Sequence, residues 1–224
     1  MPTSKVIRFY FDYESPNAYL AWTQLPKLAK KYHASIEPVP VLYAALLDAH
    51  GSLGPGEMPA KGRWMRNNIL RKSAILGVPL NPTPFFPFNP LLALRVSLLA
   101  GDVETQTKLI TALFDATWSR SLHIAEQAVV EGAANEAGLD GAALVAEAQQ
   151  DAVKTRLRRQ TDDAIAKGVF GVPTMEVGEQ LFWGYDDFPF LEMLLAGKDP
   201  LPVAELAKWA RPVKPSGMRR RFRQ

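Results

Sequence analysis

The sequence predicts an α/β fold in which a β-α-β unit and a β-β-α unit are separated by a long helical block. Residues 6–11 are aromatic and β-branched, as in a strand, and lead directly into a helical pattern that begins at Pro16. Two further strand-like segments occur only near residue 174, joined by the turn-forming pair Gly178-Glu179. Residues 44–168, between these units, are mainly helical in pattern.

The first unit begins with the strand 6–11 and continues into an amphipathic helix. Serine is a common N-cap and proline is favoured in the first helical turn, so Ser15-Pro16 marks the start of this helix. Pro26 removes one intrahelical hydrogen bond, and we expect a kink there.

The second strand, residues 35–42, should lie at an edge of the sheet, because Pro38 and Pro40 cannot donate hydrogen bonds to a neighbouring strand. In the helical block, the apolar pattern and the stop signals predict helices near residues 63–76, 91–100 and 103–118. Alanine-rich helices follow and end at Lys167 and Gly168.

The second unit predicts a hairpin of strands 174–177 and 180–183. Glycine at the first position of the two-residue loop, Gly178, favours a type II′ turn. A last helix should cover residues 187–197 and pack on the sheet.

This order is that of a thioredoxin-like fold with a large all-helical domain inserted between the second and third strands. We expect the thioredoxin-like domain to comprise residues 1–43 and 169–210, and the inserted domain residues 44–168. Residues 211–224 form a basic tail with six Arg or Lys and no acid, which we expect to be disordered. Because of this tail, the formal charge of +3 corresponds to −3 for the first 210 residues.

Composition excludes several functions. The chain has no cysteine, which excludes disulfides, thiolate metal ligands and cysteine nucleophiles. It has no apolar run long enough to span a membrane, no signal-peptide pattern and no basic stripe interleaved with aromatics, so we expect a cytoplasmic protein that binds neither membrane nor nucleic acid. The histidines, His33, His50 and His123, have no metal-ligand spacing, and we expect no metal.

The corner at Ser15 carries the main functional signal. A strand runs into a helix whose N-terminus concentrates partial positive charge, which is where thioredoxin-like proteins place the attacking cysteine of a Cys-x-x-Cys pair. Ser15 and Ala18 occupy both cysteine positions, so the chain itself cannot perform thiol redox chemistry. The site would suit a thiolate that comes from another molecule, although Ser15 could equally be an ordinary N-cap.

Four segments, in this order and spacing, resemble the DsbA-like branch of the thioredoxin superfamily. Within that branch they resemble the glutathione-dependent group of 2-hydroxychromene-2-carboxylate isomerases and kappa-class glutathione transferases. The segments are residues 9–20 with Ser15-Pro16-x-x-Tyr19, residues 59–79 with Pro59-x-Lys61-x-x-Trp64, Arg71 and Gly77-Val78-Pro79, residues 86–95 with Phe86-Pro87-Phe88-Asn89, and residues 170–186 with Gly171-Val172-Pro173-Thr174 and Trp183-Gly184-Tyr185-Asp186.

The resemblance implies a glutathione site. Ser15 would be catalytic and hydrogen-bond the glutathione sulfur. A cis bond before Pro173 would leave the backbone of Val172 free to pair with the cysteinyl unit.

Three acidic and basic positions would complete that site. Asp186, with Asp187, would hold the γ-glutamyl end, unless Asp187 caps the last helix. Lys61 would reach the glycyl carboxylate or an anionic substrate, unless it is an ordinary solvated lysine. Trp183 is also expected to contact the cofactor.

The same resemblance implies a substrate pocket formed by Ser52, Trp64, Phe86 and Asn89. Most of the aromatic residues near the site should be core, with one or two lining the pocket; they are Trp64, Phe85, Phe86, Phe88 and Trp183. The chain departs from the family at Ser52, where asparagine is typical, and at Asn68, where aspartate is common.

The implied function is a glutathione-dependent cis-trans isomerase acting on an aromatic-catabolism intermediate of the 2-hydroxychromene-2-carboxylate type. A kappa-like glutathione transferase or peroxidase is an alternative, and a non-catalytic thioredoxin-like binding protein is an alternative of another class. The partners implied are a small aromatic substrate and a second copy of the chain in a homodimer.

Overall fold

The computed structural model describes residues 5–209, and its four strands form one mixed sheet in the order β2-β1-β3-β4. Strand β1 pairs in parallel with β2 and antiparallel with β3, and β3 pairs antiparallel with β4. The strands are β1 (Val6–Phe11), β2 (Ser35–Pro40), β3 (Thr174–Val177) and β4 (Gln180–Trp183). The predicted thioredoxin-like α/β fold is confirmed, and β2 lies at the sheet edge as its prolines require.

The chain between and around the strands is helical. The helices are α1 (Pro16–Lys31), α2 (Tyr43–His50), α3 (Pro59–Leu76), α4 (Leu91–Ser97), α5 (Val103–Phe114), α6 (Gln127–Glu136), α7 (Gly141–Ala148), α8 (Asp151–Ala166), α9 (Phe188–Leu195) and α10 (Val203–Trp209), with a π-helical turn at Asp115–Ser119 and a 3-10 turn at Tyr185–Asp187. No helix within residues 5–209 is long and apolar enough to cross a membrane.

Several helix bounds differ from the prediction. Helix α3 begins four residues early, at Pro59, and the helix predicted at residues 91–100 ends at Ser97. The segment predicted as one helix over residues 103–118 changes to π-helix after Phe114. Helix α2 was not predicted, because it has only eight residues and its apolar side chains are spread around the helix, which leaves no polar face to mark a helical period.

Turn chemistry follows the sequence closely. Helix α1 runs through Pro26 as one element. In the hairpin, Gly178 has φ of 62° and Glu179 has a negative φ, which fits the predicted type II′ turn.

The predicted basic tail, residues 211–224, lies outside the described residues, and the domain boundaries at residues 43 and 169 stay predictions.

The C-terminal half of strand β1 is buried on both faces. Ile7, Phe9 and Phe11 point into the main core, where Phe11 lies 5.6 Å from the ring of Phe114, while Tyr10 points into a second cluster on the opposite face. This alternation is the two-residue period of a strand. Because this end of β1 is covered on both sides, the corner that follows it is held firmly in place.

Candidate active site

Ser15 is placed at the junction of α1 and the segment before β3. Its hydroxyl accepts a hydrogen bond from the Ala18 N–H at 3.1 Å and donates one to the Val172 carbonyl at 3.3 Å. The backbone N–H of Ser15 donates to the Asp12 carbonyl at 3.1 Å, which fixes the corner to the end of β1. Ser15 is therefore the N-cap of α1 and also faces a second element.

Val172 and Pro173 lie directly opposite this hydroxyl. The Val172-Pro173 peptide bond is cis, as predicted, and Thr174 then begins β3. The N–H of Gly184 donates to the Pro173 carbonyl at 2.8 Å, so the chain after β4 returns to the same corner. In the described part of the chain, the Val172 N–H has no hydrogen-bond acceptor.

Asp186 is joined to the corner by a buried lysine that the sequence reasoning missed. Lys72 Nζ donates to Asp186 Oδ2 at 2.7 Å and to Asn17 Oδ1 at 3.2 Å. The Lys72 side chain is 10% exposed, whereas that of Asp186 is 66% exposed. A signal existed: Lys72 interrupts a stripe of apolar residues on α3, where helical spacing predicts burial.

These contacts close a ring around the N-terminus of α1. The ring passes from one residue to the next through the hydrogen bonds and chain connections already given, and its members are Ser15, Val172, Pro173, Gly184, Asp186, Lys72 and Asn17. The structure thus brings the predicted residues Ser15, Val172, Pro173 and Asp186 together.

Asp187 occupies the N-cap position of α9, which is one of the two roles expected for it, but its side chain makes no capping hydrogen bond. Its carboxylate instead accepts the Trp183 N–H at 2.8 Å, because the 3-10 turn before α9 directs the side chain back toward β4. The Trp183 ring lies over Gly171, where an added Cβ would be 2.8 Å from Nε1, so Trp183 lies beside Val172.

A cavity of about 730 Å³ opens next to the corner. One wall is α3, and the opposite wall includes Phe86 and the π-helical Trp118, whose Nε1 donates to the Tyr13 carbonyl at 2.9 Å. The lining residues are Pro16, Pro55, Gly56, Pro59, Gly62, Arg63, Met65, Arg66, Ile69, Leu70, Leu80, Asn81, Pro82, Thr83, Phe86 and Trp118. Since Pro16 follows Ser15, the cavity reaches the start of α1.

Of the residues assigned to the substrate pocket from the sequence, Phe86 lines this cavity; Ser52, Trp64 and Asn89 do not. With 3.6 residues per turn, Trp64 falls on the face of α3 opposite to Arg63 and Arg66.

Lys61 is also outside the lining. It lies on the turn of α3 before Trp64, and its Nζ donates to the Leu53 carbonyl at 3.2 Å. The structure does not link Lys61 by a hydrogen bond or ion pair to the ring around Ser15 within residues 5–209.

The expectation that most of the nearby aromatic residues are core is wrong. Phe88 is buried, whereas Trp64, Phe85, Phe86 and Trp183 are exposed. Aromatic content alone suggested burial, but these side chains lie on loops and on the outer faces of α3 and β4.

A buried carboxyl group lies beneath the corner. Asp12 is fully buried, and its two oxygens accept the Glu14 N–H at 3.0 Å and the Tyr43 N–H at 2.8 Å. Burial raises the pKa of Asp12 to about 7, against these hydrogen bonds, which favour the charged form. Sequence reasoning gave no role to Asp12.

Comparison with known proteins places this arrangement in a family. Residues 6–196 match the model of the DSBA-like thioredoxin domain. The 2-hydroxychromene-2-carboxylate isomerase of Sphingobium xenophagum is 32% identical over 194 residues, which are 86% of this chain and 98% of that protein. Glutathione S-transferase kappa 1 of Caenorhabditis elegans is 26% identical over 216 residues, covering 90% of this chain and 96% of that protein.

Solved structures agree with the sequence comparison. The structure of a 2-hydroxychromene-2-carboxylate isomerase superposes with a TM-score of 0.78 and 25% identity, and the match covers 92% of this chain and all of that one. The four-stranded sheet, the cis-proline corner and the family match along most of the chain lead to one conclusion: the chain belongs to the DSBA-like thioredoxin domain family.

Proposed function

We propose that this protein is a glutathione-dependent isomerase acting on an aromatic-catabolism intermediate of the 2-hydroxychromene-2-carboxylate type. The observation that carries the proposal is the Ser15 hydroxyl, which lies at the N-terminus of α1 and faces the Val172 backbone in a chain without cysteine. Relatives that bear the isomerase name, at about the same length as this chain, support the substrate type.

The residues at the corner fit glutathione. The Ser15 hydroxyl donates a long hydrogen bond of 3.3 Å to the Val172 carbonyl. A thiolate is a stronger acceptor than a carbonyl oxygen and could receive this hydrogen bond in its place. The free N–H of Val172 suits the backbone pairing made by an added strand. The exposed carboxylate of Asp186 can accept the ammonium of the γ-glutamyl end, and Lys72 holds that carboxylate in position. Lys61, Trp183 and Asp187 remain proposed cofactor contacts.

When bound, glutathione supplies a thiol that adds reversibly to a conjugated carbon, which permits bond rotation without net consumption of the cofactor. The protein's part is to favour the ionised thiol through the Ser15 hydroxyl and the partial positive charge at the N-terminus of α1. Lowering a thiol pKa by about two units corresponds to about 2.7 kcal/mol, which one charge-assisted hydrogen bond plus the helix dipole can supply. The apolar walls of the cavity hold the aromatic substrate beside Ser15.

A kappa-like transferase or peroxidase is the second candidate, favoured by the relatives named glutathione S-transferase kappa. The two activities differ in what happens to the thiol. A transferase or peroxidase consumes glutathione in proportion to product, whereas an isomerase leaves it unchanged.

The test is to follow isomerisation of 2-hydroxychromene-2-carboxylate with and without glutathione, and to measure the thiol remaining. We expect turnover only with glutathione, no loss of thiol, and a rate lowered about 10- to 100-fold in Ser15→Ala, as for the loss of a charge-assisted hydrogen bond. Ser35→Ala, at an exposed serine of β2, is the matched control and should keep the full rate. Turnover that does not depend on glutathione would contradict the proposal.

We further propose that the protein acts in the cytoplasm as a homodimer. This rests on the family resemblance, and light scattering of the purified chain tests the homodimer.

A further inference from the structure

Among the described residues that line the large cavity, two arginines are the only charged ones. Arg63 and Arg66 come from successive turns of α3, and most of the other lining residues are apolar, including Ile69, Leu80 and Trp118. A cavity of about 730 Å³ with apolar walls has the size and character of a small-molecule site. The two guanidinium groups give this site one sign of charge.

Neither guanidinium is neutralised by the residues that the structure describes. Within residues 5–209, Arg63 and Arg66 are exposed, form no ion pair and donate to no side chain or carbonyl group. Two other arginines, Arg8 and Arg120, do form ion pairs, Arg120 with Glu136 at 2.7 Å. The positive charge at the cavity is therefore available to a ligand.

The geometry of α3 directs both groups to one ligand. Residues three apart on a helix are neighbours on the same face, so Arg63 and Arg66 can reach the same group in the cavity. A guanidinium binds a carboxylate through two parallel hydrogen bonds, and this attraction is stronger beside apolar walls than in water. The complementary ligand has a flat apolar ring system and one carboxylate.

We infer that Arg63 and Arg66 bind the carboxylate of an aromatic substrate in this cavity and thereby select anionic ring compounds over neutral ones. This inference deepens the proposed function, on which it rests for the identity of the cavity as the substrate site. With the carboxylate on α3, the ring extends along the apolar wall toward Pro16, next to Ser15.

The test measures binding in the absence of glutathione, by calorimetric titration of the full chain with 2-naphthoate and with its neutral amide, 2-naphthamide. We expect 2-naphthoate to bind the unmodified protein more tightly than the amide. Its affinity should fall about tenfold or more in the double variant Arg63→Met/Arg66→Met, as expected for lost charge-assisted hydrogen bonds. The affinity for 2-naphthamide should change by no more than about twofold, because methionine keeps the apolar stem.

Arg71→Met is the matched control. Arg71 is exposed on the same helix but does not line the cavity. Arg71→Met removes one guanidinium, as each substitution of the double variant does, and should bind 2-naphthoate like the unmodified protein. Equal affinity for acid and amide, an undiminished affinity in the double variant, an equal loss in Arg71→Met, or no binding of 2-naphthoate would each overturn the inference. Because no glutathione is present, these results are independent of whether turnover requires it.

Discussion

The ion pair between Lys72 and Asp186 should respond unequally to the loss of its two members. The Lys72 side chain is 10% exposed and the Asp186 side chain 66% exposed, so removal of the acid leaves a buried charge and removal of the base leaves a solvated one. We therefore expect Asp186→Ala to destabilise the protein more than Lys72→Met.

The magnitudes follow from these environments. Breaking a buried pair so that one charge is left without its partner costs about 3–5 kcal/mol. Asn17 still accepts one hydrogen bond from Lys72, and Asp186 is partly hydrated, so we expect about 2–3 kcal/mol for Asp186→Ala. Lys72→Met keeps the buried stem and returns Asp186 to water, and we expect about 1 kcal/mol.

The double variant Lys72→Met/Asp186→Ala provides the sharpest comparison, because it no longer contains the buried charge. It should be more stable than Asp186→Ala alone, as measured by the free energy of unfolding in urea. The matched control is the exposed ion pair between Lys31 and Glu192, whose Nζ and Oε1 are 2.6 Å apart, and its double-mutant coupling should be much smaller than that of Lys72 and Asp186. If Lys72→Met costs more than Asp186→Ala, or if the double variant is the least stable, the reasoning is wrong.

Two further predictions concern stability. Because burial raises the pKa of Asp12 to about 7, the folded protein keeps a proton that the unfolded chain releases near pH 4. The free energy of unfolding should therefore fall by at most about 4 kcal/mol as the pH rises from about 4 to about 7. The free energy of unfolding in urea should depend less steeply on pH in Asp12→Asn than in the unmodified protein. An identical pH dependence in the two proteins would count against a raised pKa of Asp12. An added Cβ at Gly141 would clash with the Glu131 carbonyl oxygen, so Gly141→Ala should destabilise by about 2 kcal/mol or more. Gly132→Ala, with nothing within 4 Å, should instead stabilise by about 0.5–1 kcal/mol, and equal effects in thermal unfolding would refute the contrast.

Local signals were enough to predict much of the fold. The bounds of β1, β3 and β4 follow from short aromatic or β-branched runs and from the glycine turn at Gly178, all of which act over a few residues. Ser15 as N-cap is a local feature of the same kind, whereas the cis bond before Pro173 was implied by the family resemblance. The change from α- to π-helix after Phe114 was not predictable, because no residue pattern distinguishes the two over one turn.

The rest of the site depends on how α3 lies against α1, which the sequence does not specify. Lys72 meets Asn17 across 55 residues and Asp186 across 114 residues of chain, and neither pairing has a spacing rule. Which residues of α3 line the proposed substrate cavity could not be predicted either, because one step along a helix turns a side chain by about 100°. Trp64 was assigned to the substrate pocket, and the neighbouring Arg63 lines the cavity instead.

The most direct test of the central claim is the ionisation of glutathione bound at Ser15. Because the chain has no cysteine, the ultraviolet absorbance of thiolate, with the protein alone as blank, reports on glutathione only. We expect saturable binding and a titration midpoint about two pH units below the value of about 8.5 for a free thiol, with Ser15→Ala returning the midpoint toward that value. A midpoint that is the same for bound and free glutathione, or unchanged in Ser15→Ala, would contradict the account.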